Sequence, residues 1–146
     1  GTEQADAVLM AALWTLPAPG DVVWCRFPEL PRHSPGPKTR PALVLAVIER
    51  DDGVEITVVY GTSQRVNKLS AGEFAITRLG HAAAYKAAGL SHDTKFDFKQ
   101  TARVPWTDEF FAVPPGAPNG QRPLMGSLHA SLIRAAAAAH AAEQQR

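Results

Sequence analysis

A chain of 146 residues, 45% of them hydrophobic, is long enough for one domain with a sizeable core and too short for two ordinary ones. The formal net charge is +1, so no overall field draws the protein onto nucleic acid or acidic lipid, and any anion site has to be local. The lone cysteine, Cys25, excludes an internal disulfide and a multi-cysteine zinc site, and its expected role is that of a small core residue.

The chain begins Gly1-Thr2 with no Met, so residues 1–19 are expected to be an N-terminal extension, in part a cloning remnant, ahead of a single domain over 20–146. Within that extension, Val8, Leu9, Ala12 and Leu16 have the spacing of a short amphipathic helix over 5–16, ending before "LPAPG". "DVVWCRF" alternates Val23, Cys25 and Phe27 with Val22, Trp24 and Arg26, the period of a half-buried strand. "PELPRHSPGPKTRP" holds five prolines in fourteen residues, and their fixed φ and missing N–H predict an exposed loop. "ALVLAVIE" reads as a strand buried on both faces, "RDDG" as a turn and "VEITVVYG" as its antiparallel partner.

Further along, "GEFAIT", "TKFDFK", "ARVPW" and "DEFFAV" are each expected to be short strands. "GHAAAYKAAG" supplies a turn or two of helix with Gly89 available to end it, and "PPGAPNGQRP" is a second loop. Ser127 has the character of an N-cap for a terminal helix carrying Leu128, Leu132 and Ala135 on one stripe, with fraying expected beyond His140. Short strands with turn signals plus one terminal helix predict a mainly β protein, a small strongly bent sheet or barrel. Nothing approaches eighteen consecutive apolar residues and no basic region precedes "ADAVLMAALW", so a soluble cytoplasmic protein without a membrane partner is expected.

Two stretches carry candidate chemistry. Arg26, Arg32, Lys38 and Arg40 stand against Glu29 alone in the first loop, a local excess of three positive charges. Arginine presents a planar fork to paired oxygens, and Pro41 holds Arg40 in extended backbone at the mouth of a buried strand. The second stretch is "YGTSQ", residues 60–64, where Thr62 and Ser63 can donate to a phosphate oxygen and Gln64 to a phosphate or a base edge. An antiparallel hairpin of 42–49 and 54–61 makes Arg40 and Thr62 neighbours on the side away from its turn. The five histidines show no HxxxH pairing and no ligand-spaced Cys or carboxylate, which argues against a metal. Phosphate-binding glycine loops and a GxSxG elbow are absent from the sequence as well.

Taken in order, "GDVVWCRFPE", "RPALVLAV" and "ITVVYGTSQ" resemble the MazF/PemK group of bacterial toxin–antitoxin toxins, and "AGLSHDTKFDF" with "QTARVPW" is similar to the segments that follow. The likeness covers roughly residues 20–106. It implies an SH3-like barrel of the MazF/PemK/CcdB kind, a homodimer, and metal-independent, cofactor-free cleavage of single-stranded RNA that a cognate antitoxin blocks. It also implies that the RNA 2′-hydroxyl attacks its own phosphate, with the family's catalytic arginine falling on Arg40 and its threonine on Thr62. His33 is expected to carry a proton, and Arg26, Lys38, Ser63 and Gln64 to contact RNA. The alternatives are a silent SH3-like module that binds an antitoxin-like peptide or a topoisomerase, and a structural Arg40 paired with Asp21 or Asp93.

Overall fold

The computed structural model describes residues 14–145. Six strands form one antiparallel sheet: β1 (Asp21–Cys25), β2 (Arg40–Arg50), β3 (Gly53–Thr62), β4 (Glu73–Ile76), β5 (Thr94–Pro105) and β6 (Leu124–Ser127). Their order is β4-β5-β3-β2-β1-β6, and among the described residues β4 and β6 are the two edges, so the sheet is not closed. Among the described residues two helices complete the fold, α1 (Ala82–Ala87) and α2 (Ile133–Gln144), the latter entered through a 3-10 turn at Ala130–Leu132. The protein is therefore mainly β with a C-terminal helix. Among the described residues no helix is long and apolar enough to cross a membrane.

Both faces of the sheet are covered, and the side-chain alternation of the strands sorts the core into two. Val22, Leu43, Val59, Phe74, Phe96 and Phe98 pack under Leu132, Ala136 and Ala139 of the C-terminal segment. Val23, Cys25, Ala42, Val44, Ile56, Val58 and Val104 face the other way, against Trp106, Phe110 and Phe111. Burying valines 22 and 23 together contributes about 3–6 kcal/mol at the usual worth of a buried aliphatic side chain. The expectation that β1 is half-buried is thus corrected: the helical segments cover the face that alternation had assigned to water.

The hairpin of β2 and β3 forms as expected, closing at Arg50 and Gly53, with Arg50 Nε 2.6 Å from Glu55 Oε1. The proline-rich stretch up to Thr39 is loop, tied back by Gly36 N–H to the Arg26 carbonyl at 3.1 Å. Gly89, at φ +69°, ends α1, and a Cβ there would meet the Met125 carbonyl, so this glycine serves both the helix stop and the seating of β6.

Other expectations need correction. "TKFDFK" and "ARVPW" are one strand, β5, interrupted by a bulge: Thr101 pairs with Val59 but Asp97 with Tyr60, leaving Phe98, Lys99 and Gln100 to loop out between them. Asp97 ties off that bulge, accepting from Lys99 N at 2.9 Å and Gln100 Nε2 at 3.1 Å. "DEFFAV" makes only a bridge, Phe111 with Cys25. Ser127 ends β6 instead of capping a helix; the cap is His129, whose ring accepts from Ser131 N, and Ala135 is exposed while Ala136 is buried. Helix α2 continues past His140 to Gln144, with the His140 ring stacked on Phe98 at 4.9 Å. The helix expected over 5–16 falls, for residues 5–13, outside the described residues; Trp14, Thr15 and Leu16 are not helical. Of residues 14–19, Trp14 packs edge-on against Trp106 and Leu16 packs against the second core.

Candidate functional site

Where β2 begins and β3 ends, the sheet opens into a cleft of about 390 Å³. Ala42 pairs with Tyr60, and continuing that register by two residues sets Arg40 opposite Thr62. Residues directly opposite each other share a face with Cβ atoms about 5 Å apart. Lys95 extends the row, as the residue paired with Thr62 on β5.

The local backbone explains how an Arg-Pro pair enters an interior strand. Pro41 lies opposite Trp24 of β1 and has no N–H to give. Trp24 is satisfied elsewhere: its carbonyl accepts from Ala112 N at 3.1 Å and its N–H donates to the Pro123 carbonyl at 3.0 Å. On the β3 side, Gly61 lets the strands close up, because a Cβ there would run into the Pro41 carbonyl and come within 2.9 Å of the Phe96 ring. Bringing Arg40 and Thr62 together therefore depends on a proline and a glycine that face each other.

Arg40 is half-buried, and its orientation is set by Tyr60. One guanidinium nitrogen donates to the Tyr60 hydroxyl at 2.8 Å, and the guanidinium carbon stands 5.0 Å from the centre of that ring. Phe27 packs edge-on against the tyrosine at 5.2 Å, so the ring is itself held. Of five guanidinium N–H groups, one is used this way, which leaves donors for a ligand. The structural alternative for Arg40 is not what the chain adopts. Asp21 accepts from Ala18 N at 2.9 Å and Asp93 from Arg78 N at 2.7 Å, and neither pairs with Arg40.

Thr62 is 8% exposed, with its Oγ1 accepting from Gln64 N at 3.1 Å. That bond fills a lone pair and leaves the hydroxyl proton to be given. Lys38, Ser63 and Gln64 also line the cleft, and among the described residues none that lines it is Asp or Glu. An uncompensated lysine and arginine beside several hydroxyls make a site for an anion.

Two expected site residues lie elsewhere. Arg26 turns away and donates to the carbonyls of Asp108 and Glu109 at 3.0 and 3.4 Å, fastening the segment that covers the second core. His33 sits exposed in the proline-rich loop and does not line the cleft. His92 does line it, together with Ser91 and Thr94. Its Nδ1 is 3.2 Å from Ser91 Oγ, and its carbonyl accepts from Thr94 Oγ1 at 2.8 Å. The signal that could have located His92 was the pairing of "TKFDFK" with β3, which brings the residues just before Thr94 alongside those just after Thr62.

Two titratable groups close to this region are structural. Burial pushes the Cys25 thiol far above its ordinary range, only partly offset by the neighbouring Arg26 charge, so it is an inert core side chain. Glu73 is 2.9 Å from Lys95 and both side chains are about a tenth exposed or less. Burial works against its ionisation, but hydrogen bonds from Lys95 and from Ser70 N–H, with the lysine charge, hold its carboxyl below the ordinary value. No group of three or more His, Cys, Asp or Glu among the described residues is placed to hold a metal ion. The chain matches no protein-family model, and no curated protein matches it.

Proposed function

We propose that the protein is a toxin-like endoribonuclease of the MazF/PemK kind, its open sheet being the SH3-like barrel of that group, which cleaves single-stranded RNA without a metal or cofactor. The observation that carries this is that Arg40 and Thr62 line one cleft that has no carboxylate among its described lining residues. In the reaction the ribose 2′-oxygen forms a bond to phosphorus and the bond to the 5′-oxygen breaks. One proton leaves the 2′-hydroxyl and one arrives at the departing 5′-oxygen. Between the two, the pentacoordinate phosphate carries an extra negative charge, which needs donors already aimed at it. Arg40, its direction fixed by Tyr60, supplies charge and hydrogen bonds; Thr62 donates its hydroxyl proton; Lys38 and Ser63 hold the neighbouring backbone. His92 replaces His33 as the side chain that carries one of the moving protons, since it is the imidazole in the cleft lining.

The protein acts in this proposal as a cytoplasmic homodimer under the control of a cognate antitoxin. The test is to incubate purified protein with a long single-stranded RNA in excess EDTA and characterise the ends. Cleavage leaving 2′,3′-cyclic phosphate and 5′-hydroxyl termini supports the assignment. Intact RNA, or cleavage that starts only on adding a divalent ion, overturns it and leaves a module that binds a protein partner in the same cleft.

A further inference from the structure

A second hollow, of about 240 Å³, adjoins the cleft, and the two have Lys38, Arg40 and Tyr60 in common as their dividing wall. On the proposed activity, a phosphate seated at that wall has one nucleoside on each side. The cleft takes one, and the second hollow is left for the other. Its exposed surface is chiefly polar, with Leu30 and Pro37 giving it apolar edges over the buried Phe27 and Pro28.

Glu29 also lines this hollow. Its carboxylate makes no ion pair or hydrogen bond with another described residue, although Lys38 and Arg40 line the same space. A carboxylate in the path of a polyanion is repelled by phosphate and can only accept hydrogen bonds, so the part of the ligand it tolerates is an N–H-bearing base edge. Gln100, from the β5 bulge, lines the hollow too, with one amide N–H donated to Asp97 Oδ2 at 3.1 Å. The acceptor-only carboxylate fixes which end of the amide is nitrogen and leaves its second N–H for a carbonyl on the base.

We propose that this second hollow is a nucleobase subsite in which Glu29 selects guanine at one of the two positions flanking the cleaved phosphate. Guanine carries N1–H and the N2 amine side by side, matching two carboxylate oxygens, with O6 beside them for Gln100. Cytosine and adenine each offer one exocyclic amine next to an acceptor nitrogen, and uracil offers a single N–H between two carbonyls, which a carboxylate disfavours. This subsite rests on the RNA-cleavage assignment, and binding separates the two.

The probes are single-stranded 2′-deoxy oligonucleotides, which lack the attacking hydroxyl: an all-deoxyuridine strand and the same strand with one central deoxyguanosine or deoxyinosine. Fluorescence anisotropy should give the guanine strand about tenfold tighter binding than the uracil strand, with inosine, missing the N2 amine, in between. Glu29 is exposed, so Glu29→Gln and Glu29→Ala should fold normally, and both should bring guanine and uracil to within about twofold. Equal binding of guanine and uracil strands by the unaltered protein, or a guanine preference that survives in both variants, overturns the subsite. RNA cleavage in EDTA with no guanine at either flanking position overturns the subsite while sparing the nuclease. Guanine-selective binding lost in Glu29→Gln without any cleavage upholds the subsite and removes the nuclease, and failure to bind any strand removes both.

Discussion

Arg40 and Lys95 flank Thr62 on neighbouring strands, and the fold treats these two cations in opposite ways. Lys95 is 8% exposed; its ammonium is 2.9 Å from Glu73 and donates to the Lys68 carbonyl at 3.1 Å. Arg40 is held by a phenol instead of a carboxylate and borders open space on two sides. A charge answered inside the fold fastens strands together, and its field is spent locally. A charge oriented by a neutral partner keeps its field for whatever enters the cleft. Proximity to Thr62 is common to both residues, so the counter-charge is what separates a structural cation from a site cation.

Substitution at each position should therefore fail in a different assay. The largest expected effect is on activity: Arg40→Ala should slow RNA cleavage about a thousandfold, as removal of a preorganised charge stabiliser does, with stability changed by less than about 1 kcal/mol. Lys95→Met should do the reverse. It strands the Glu73 carboxylate and should cost about 3–5 kcal/mol in urea denaturation, while the double variant Lys95→Met, Glu73→Leu should recover most of that loss. An Arg40→Ala protein that unfolds, or a Lys95→Met protein as stable as its parent, would erase the contrast.

Between the two cations, Thr62→Val keeps the shape and removes the donated proton, so cleavage should fall about ten- to a hundredfold, with a loss of about 1 kcal/mol for the Gln64 bond. His92→Gln sharpens the division of labour in the cleft. The variant should cleave at least about tenfold more slowly while binding a 2′-deoxy strand as the unaltered protein does, and an unchanged rate would return the proton-carrying role to another group. The smallest effect concerns pH and stability. Because the folded Glu73 carboxyl lies below its ordinary value of 4.5, its stabilising contribution is complete above that value and is lost as pH falls through the lower folded one. Glu73→Gln should flatten the acid side of the stability–pH curve, and an unchanged slope would show that the pair contributes nothing.

The legible parts of the molecule were those governed by local pattern. Pro41, the apolar run after it and the "DDG" turn were enough to find the β2–β3 hairpin, and antiparallel geometry then brought Arg40 to Thr62. What escaped was set by contacts distant in sequence. "LMGS" is too short and mixed to announce itself as a strand, yet β6 forms because β1 has an open edge and Gly89 leaves room against Met125. The bulge that joins two apparent strands into β5 depends on Asp97 tying off Lys99 and Gln100. Arg26 and His33 share a basic loop with Lys38 and Arg40, but loop charge carries no direction. Arg26 is drawn to the carbonyls of Asp108 and Glu109, which no local pattern reveals, and His92 reaches the cleft only through the pairing of β5 with β3.

The most direct single measurement is a side-by-side cleavage time course of one single-stranded RNA in EDTA by the unaltered protein and by Arg40→Ala, each first matched for its unfolding midpoint. Cleavage by the unaltered protein that is about a thousandfold slower in an equally stable Arg40→Ala is the expected result. Equal rates in the two proteins would contradict it, because the arginine at the cleft rim would then be no part of the chemistry.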